Sequence, residues 1–318
     1  MRETDNTVYH NFSTASYNLP RRKKTMDNNL NISVIGGDTR LLYTAQKLKA
    51  EGAQVSVFGF ELADTPLTGL LRADSLDKAM ESEIIVLGLP CSKNGETLYA
   101  PFSEKEIFIN DISKRSYQNQ IIFAGMPQDS VLLSLKSGGA MVFDYFKDEA
   151  LTLYNAMLTA EAITGILIKK LPCSLLCADI AVIGYGRIGF YLVKALNSLG
   201  AKVTVFSRNA TQLAKARTLG IKAEKLSSFA DKKREYRALI NTVPSQVIKE
   251  NELKRLNGDC FLIEAASAPY GIDAAAAEEL GFTVFSAPSL PGKYSPESAG
   301  NFIAETVFRQ IGEVKDSG

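Results

Sequence analysis

Short apolar runs rich in β-branched residues recur along the chain, and between them apolar positions return every three or four residues. Asn31–Ile35, Gln54–Phe58 and residues 82–87, 120–125 and 140–145 read as strands, with a shorter run at Ile107-Phe108-Ile109. Residues 41–51 predict a helix ended by Gly52. Residues 151–169 predict a longer one with Leu151, Tyr154, Leu158, Ala162 and Ile166 on one face. A second series follows: strands at 178–183, 202–206, 238–244, 260–264 and 282–285, a helix at 190–199 ended by Gly200, and a last helix at 296–311. Strand alternating with helix predicts parallel sheets in an α/β protein.

The strand ending at Ile183 runs into Gly184-Tyr185-Gly186-Arg187-Ile188-Gly189 and then a helix. This is G-x-G-x-x-G in the context that gives the motif meaning. A pyrophosphate needs backbone N–H groups at a helix N-terminus, where the helix dipole favours negative charge. Gly184 allows the sharp turn, Gly186 removes a side chain that would block the phosphates, and Gly189 lets helix and sheet approach. The next strand ends in Ser207-Arg208-Asn209, with no acid to accept from a ribose 2′-OH. An arginine there suits a 2′-phosphate, so NADP is expected in preference to NAD. Thr242-Val243-Pro244 ends a later strand and is expected to pass the adenine or the ribose–nicotinamide side; Glu264-Ala265-Ala266-Ser267 ends the next one and is expected near the nicotinamide.

The first strand ends instead in Gly36-Gly37-Asp38-Thr39-Arg40. This is not the dinucleotide motif, and Asp38 would repel a pyrophosphate. The expected architecture is therefore α/β, with two Rossmann-like parallel-sheet domains, a cleft between them and crossing helices, as in 2-hydroxyacid dehydrogenases. Residues 1–29 are expected to be a flexible extension. Residues 30–150 form the substrate-side domain, against which the 294–312 helix packs back, and 151–293 form the dinucleotide domain with its leading helix.

Composition narrows the chemistry. The chain has 318 residues, 46% hydrophobic and 22% charged, with net charge +1. Near-neutral charge argues against a nucleic-acid surface. No apolar run reaches about 18 residues, so no membrane span is expected. The four cysteines are no disulfide scaffold, and Cys173 and Cys177 are expected to be buried free thiols. The single histidine, His10, lies in the polar N-terminal stretch that ends in Arg21-Arg22-Lys23-Lys24. A Ser-His-Asp triad or a histidine-based hydride-transfer pair therefore lacks its histidine in the folded body.

Four stretches in this order resemble the dipicolinate synthase A-subunit family. They are Ile35-Gly36-Gly37-Asp38-Thr39-Arg40, residues 155–161, the Gly184 loop, and Leu290-Pro291-Gly292-Lys293-Tyr294-Ser295-Pro296 followed by Ala299-Gly300. The resemblance runs over residues 30–312. Leu158 and Ala162 depart from it, standing where proline and glycine are expected. It implies a cytoplasmic, NADP-dependent oxidation in sporulation, in which a hydroxylated tetrahydrodipicolinate loses water and the dihydropyridine becomes the aromatic dicarboxylate. It also implies a second, flavoprotein-like B-subunit and an oligomer. Aromatisation drives such a reaction and needs no histidine.

A dicarboxylate calls for fixed cations. Arg40, Lys93 and Lys293 lie on loops beside the expected cleft, with Gly37 next to them. Asn155 and Thr159 are one helical turn apart and are expected to share a face toward substrate or a facing loop. Asp38, Asp144 and Glu161 are the candidate proton acceptors, Asp38 being equally well placed as a helix N-cap. Two other readings stay open: a different dehydrogenase of a small 2-hydroxy or amino acid, and a non-catalytic NADP-binding regulatory protein.

Overall fold

The computed structural model describes residues 30–64 and 69–317. The expected N-terminal extension, with His10 and the basic cluster, lies outside them. The first series comprises β1 (Asn31–Ile35), α1 (Thr39–Ala50), β2 (Gln54–Phe58), β3 (Leu71–Arg72), α2 (Leu76–Met80), β4 (Ile84–Leu87), α3 (Ile109–Arg115), β5 (Ile121–Ala124), α4 (Asp129–Ser137) and β6 (Met141–Asp144). The long helix α5 (Glu149–Lys170) leads into β7 (Asp179–Ile183), α6 (Arg187–Ser198), β8 (Lys202–Ser207), α7 (Ala210–Thr218) and β9 (Lys222–Lys225). Then come β10 (Ala238–Asn241), α8 (Glu250–Leu253), β11 (Phe261–Glu264), α9 (Ala274–Glu279), β12 (Val284–Ser286), α10 (Leu290–Tyr294) and α11 (Pro296–Ser317).

Both sheets have six strands, and the two share one topology. The first runs β3-β2-β1-β4-β5-β6 and the second β9-β8-β7-β10-β11-β12, all parallel. In each, the chain leaves the central strand, winds to one edge, returns to the middle and winds to the other edge. Each sheet thus has a switch point between its first and fourth strands, where ligands bind in such folds. β4, β5 and β10 are buried along their whole length, as strands covered on both faces must be.

Helix α5 belongs to both units. Leu151 at its start packs in the core of the first sheet, while Ala160, Ile163, Ile166 and Leu167 pack in that of the second. α11 returns the chain to the first unit, where Ile303, Ala304, Val307 and Ile311 join Leu41, Ala45 and Leu48 of α1. The two helices touch through small residues: Thr44 Oγ1 donates to the Gly300 carbonyl at 3.0 Å, and a Cβ at Gly300 would overlap the Arg40 carbonyl oxygen.

Some expectations need correction. Ile107-Phe108-Ile109 is no strand. Phe108 makes a single bridge to Thr97, and Ile109 opens α3, where Ile109 and Ile112 bury one helical face. β9 is a polar edge strand with little apolar alternation to announce it. Cys173 and Cys177 are free but exposed, because they lie on the surface connection between α5 and β7. α5 is long and apolar enough, by length and composition, to cross a membrane. More than half of that apolar window is buried inside the fold instead.

The close approach at Gly300 can be tested against an open glycine. Gly300→Ala is expected to destabilise the chain by about 1–3 kcal/mol in urea unfolding. Gly165→Ala on α5, where a Cβ meets nothing within 4 Å, is expected to stabilise it by about 0.5–1 kcal/mol.

Candidate functional site

The glycine loop between β7 and α6 divides its labour as the motif requires. Gly184 turns with φ +91°, and a Cβ there would meet Thr242 Oγ1 at 2.6 Å and Val243 Cγ2 at 2.7 Å. Gly189 is pressed against the Gly184 carbonyl, so no side chain fits between helix and strand. A Cβ on Gly186 would meet nothing within 4 Å. Gly186 is therefore not required by the fold. It leaves open space above the start of α6, and no side chain caps that start. The helix keeps its first N–H groups and its positive end for an outside anion. Arg187 stands beside this opening, held by Glu149 at 3.0 and 2.6 Å, and that hydrogen bond keeps the Glu149 carboxyl below its ordinary range. Ile188 is half-buried against the core.

At the end of β8 the side chains are already committed, apart from one. Ser207 Oγ lies 2.8 Å from Gln212 Oε1 and accepts from Asn209 N–H. Gln212 Oε1 also accepts from Tyr185 N–H at 3.2 Å, and Asn209 caps α7. Ser207, Asn209 and Tyr185 thus shape the turn. Arg208 is exposed, and its Nη2 donates to Ser245 Oγ at 3.1 Å across the gap between the ends of β8 and β10. Ser245 and Gln212 were not singled out from sequence. Gln212 stands three residues after the capping Asn209, a spacing that brings it back over the turn.

The ends of β10 and β11 are tied together. Thr242 Oγ1 donates to the Ile183 carbonyl at 2.8 Å and closes the seam beneath the glycine loop. Asn241 brackets Val243 by bonding both its N–H and its carbonyl. Pro244 and Ser267 are exposed beyond these turns, and Ala266 N–H donates to buried Glu264. An acid closing an apolar strand before a run of small residues was a signal available in the sequence.

The switch point of the first sheet is filled. Asp38 caps α1 by accepting from Arg40 N–H, and it takes the Arg40 guanidinium through Nε at 2.9 Å and Nη2 at 2.8 Å. Nη2 also donates to the Leu89 carbonyl after β4. Arg40 is 4% exposed. Burial alone would lower its pKa, but the hydrogen bond and charge of Asp38 outweigh this and raise it. Gly37, with φ +97°, donates its N–H to the Tyr99 carbonyl, and the Lys93 ammonium lies 3.8 Å from the Tyr99 ring centre. From the second series, Gly292 on α10 faces the pair: a Cβ there would lie 3.0 Å from Arg40 Nε and 3.2 Å from Asp38 Oδ2. Arg40, Leu89, Asn155, Leu158, Ala299 and Phe302 are among the residues lining a small cavity beside it.

The structure brings Asp38, Gly37, Arg40 and Asn155 to one junction; exposed Lys93 is linked to it only through Tyr99, and exposed Lys293 lies on the same short helix as Gly292. Other candidates are placed differently. Thr159 donates its hydroxyl to the Asn155 carbonyl at 2.7 Å, so its turn of α5 is bonded inward and not toward a ligand. Glu161 is exposed, six residues beyond Asn155 and rotated from it by about 240° on the helix. Asp144 accepts from Met126 and Phe146 N–H, both at 3.0 Å, which fixes the turn after β6. Beside it, burial pushes the Cys91 thiol up to about 12 and holds the Tyr145 phenol well above its ordinary range; the Tyr145 hydroxyl donates to the Leu87 carbonyl.

Residues 31–146 match the model of the N-terminal domain of the dipicolinate synthase A-subunit. The chain is 27% identical over 289 residues to the dipicolinate synthase A-subunit of Bacillus subtilis (strain 168), covering 90% of this chain and 97% of that protein. It superposes on the solved B. subtilis dipicolinate synthase A chain with TM-score 0.81 at 25% identity, over 92% of this chain and 99% of that one. The Bacillus halodurans A-subunit gives 0.80 at 25% identity, over 89% and 97%. An L-alanine dehydrogenase shares the fold at TM-score 0.62 and 14% identity, over 91% of each chain.

The second and third glycines of the loop give different expectations. Gly186→Ala is expected to unfold at the wild-type denaturant concentration while its affinity for a reduced nicotinamide dinucleotide, read by fluorescence titration, falls about tenfold or more. Gly189→Ala is expected to lower stability by about 1–3 kcal/mol as well, because helix and strand must separate.

Proposed function

We propose that this chain, which belongs to the dipicolinate synthase A-subunit family, is a nicotinamide-dependent oxidoreductase. It oxidises the dehydrated form of 4-hydroxytetrahydrodipicolinate to dipicolinate and prefers NADP to NAD. The observation that carries the reading is the contrast between two like switch points. One offers an uncapped helix start under an open glycine, and the other is filled by its own ion pair and faced by Gly292 of the second unit. A dinucleotide on the first and a small anionic substrate near the second would meet across the junction.

The residues fit the cofactor. Gly186 and the α6 N-terminus would hold the pyrophosphate, Arg208 with Ser245 the adenosine 2′-phosphate, and Val243, Pro244, Ala266 and Ser267 the nicotinamide side. When bound, NADP would supply the hydride acceptor, and a proton would leave the dihydropyridine as the ring becomes aromatic. The chain's own work is orientation. Arg40, braced by Asp38 and Leu89, and Lys93, braced by Tyr99, present cations to the two carboxylates, with Lys293 entering from the second unit. Pre-paid bracing of this kind limits the entropy lost on binding. Asp38 is the carboxylate at the junction and the one we assign to accept the proton. Asp144 accepts from its own turn and Glu161 lies on the exposed face of α5, whereas Asp38 touches the cation assigned to the substrate, and that contact decides between the three. A second, flavoprotein-like protein would complete the enzyme in a cytoplasmic, sporulation-linked setting; that the relatives are themselves named as one subunit of a synthase supports a partner of this kind.

The test combines the chain, its partner protein, the aldol condensation product and NADP. Dipicolinate and NADPH absorbance are expected to rise in equal amounts; cofactor binding without product would overturn the reaction assigned here. Arg208→Ala is expected to raise the Kd for NADPH about tenfold or more and leave that for NADH unchanged, since one charge-assisted contact is lost. An equal change in both would remove Arg208 from the 2′-phosphate.

A further inference from the structure

We propose that Glu264 is a positioning residue that sets the nicotinamide half of the dinucleotide site, acting through the turns it holds. The inference rests on the dinucleotide reading above. Glu264 closes β11, is 5% exposed, and makes no ion pair among the described residues. Its charge is met entirely by N–H donors. Oε1 accepts from Asn241 Nδ2 at 2.7 Å and Ala266 N–H at 2.9 Å, and Oε2 from Gly271 N–H at 2.8 Å and Ile272 N–H at 2.9 Å. Gly271 has room for no side chain, because a Cβ would overlap Asn241 Nδ2.

Packing alone does not ask for this group. Burying a carboxylate is costly, and an apolar side chain would fill the same space. A carboxylate offers two acceptor oxygens to donors converging from several segments, and neither amide nor hydroxyl can do the same. The segments joined are the exit of β10, through Asn241 and its bracket on Val243; the exit of β11, at Ala266; and the return at Gly271-Ile272. Together they frame the exposed turn of residues 267–270. In this strand order the first three strands carry the adenosine half, and the fourth to sixth the other half. The clamp lies wholly in the latter. Arg208, at the other half, reaches the β10 exit only at Ser245, two residues beyond Val243, and bonds to none of the four groups that Glu264 holds.

The position predicts a split effect. Glu264→Gln keeps the shape but turns an amide NH2 toward one pair of donors, so one pair of turns is released. The full chain is titrated with NADPH or NADH, whichever the wild type binds more tightly, and with the matching adenosine half, 2′,5′-ADP or ADP. The variant is expected to lose about tenfold or more in dinucleotide affinity and to change by no more than about twofold for the adenosine half. The emission of the bound reduced nicotinamide is expected to shift toward that of the free cofactor. Parallel losses for both ligands, or for neither, overturn the proposal. Should Glu264→Gln fail to fold, Asn241→Ala, which leaves Glu264 its three backbone donors, decides by the same two titrations. A wild-type chain that binds neither dinucleotide overturns the reading beneath it, whereas wild-type binding with unchanged variants overturns the clamp alone.

Discussion

The two units differ most clearly in what caps the positive end of their first helix. The two sheets have the same strand order and place a helix start at the same point. In the first, Asp38 sits on α1 and draws Arg40 over itself at 2.9 and 2.8 Å. In the second, Gly186 leaves α6 uncapped and opens space above it. A helix end with its own carboxylate has little to offer an incoming phosphate, whereas one without a side-chain cap keeps its N–H groups and positive end available to an anion. One residue type at one position distinguishes two helix starts built on the same plan, and the proposed division into cofactor and substrate units rests on that difference.

The filled switch point also organises the junction. Arg40 is nearly buried and joins Asp38, the Leu89 carbonyl after β4 and the α1–α11 contact at Gly300. Gly292 brings the second unit against that pair. A buried guanidinium with paired donors is rigid as well as charged, and an unpaired one would be costly there. The same group can therefore brace the junction and present charge to it. Glu264 is the opposite solution in the second unit: an anion with no cation, satisfied by converging N–H groups, fixing turns and not helices.

Strands with long apolar runs, such as β4 and β10, and the glycine loop were legible in the sequence because their causes are local: burial on both faces, and a turn that needs φ above zero. Asp38 could be read as a cap or as an acid, and the structure shows it capping and ion-paired. Arg40 was harder, because its burial depends on Leu89, Gly292 and Gly300, far along the chain. Asn155 and Thr159 show the limit of periodicity: their spacing was right, but the threonine bonds back to its own helix at 2.7 Å. Short polar β9 carried no pattern to read, and the apolar run at Ile107-Phe108-Ile109 reads as a strand although it ends in a helix start.

If helix-start chemistry separates the two units, only one of the two equivalent helix starts accepts a phosphate. A crystal structure of the chain with NADP decides the point. Pyrophosphate density is expected over Gly186 at the start of α6, with the Asp38–Arg40 pair still closed over α1. Density at the Gly36-Gly37 turn with that pair opened, or at both helix starts, would contradict this division of labour.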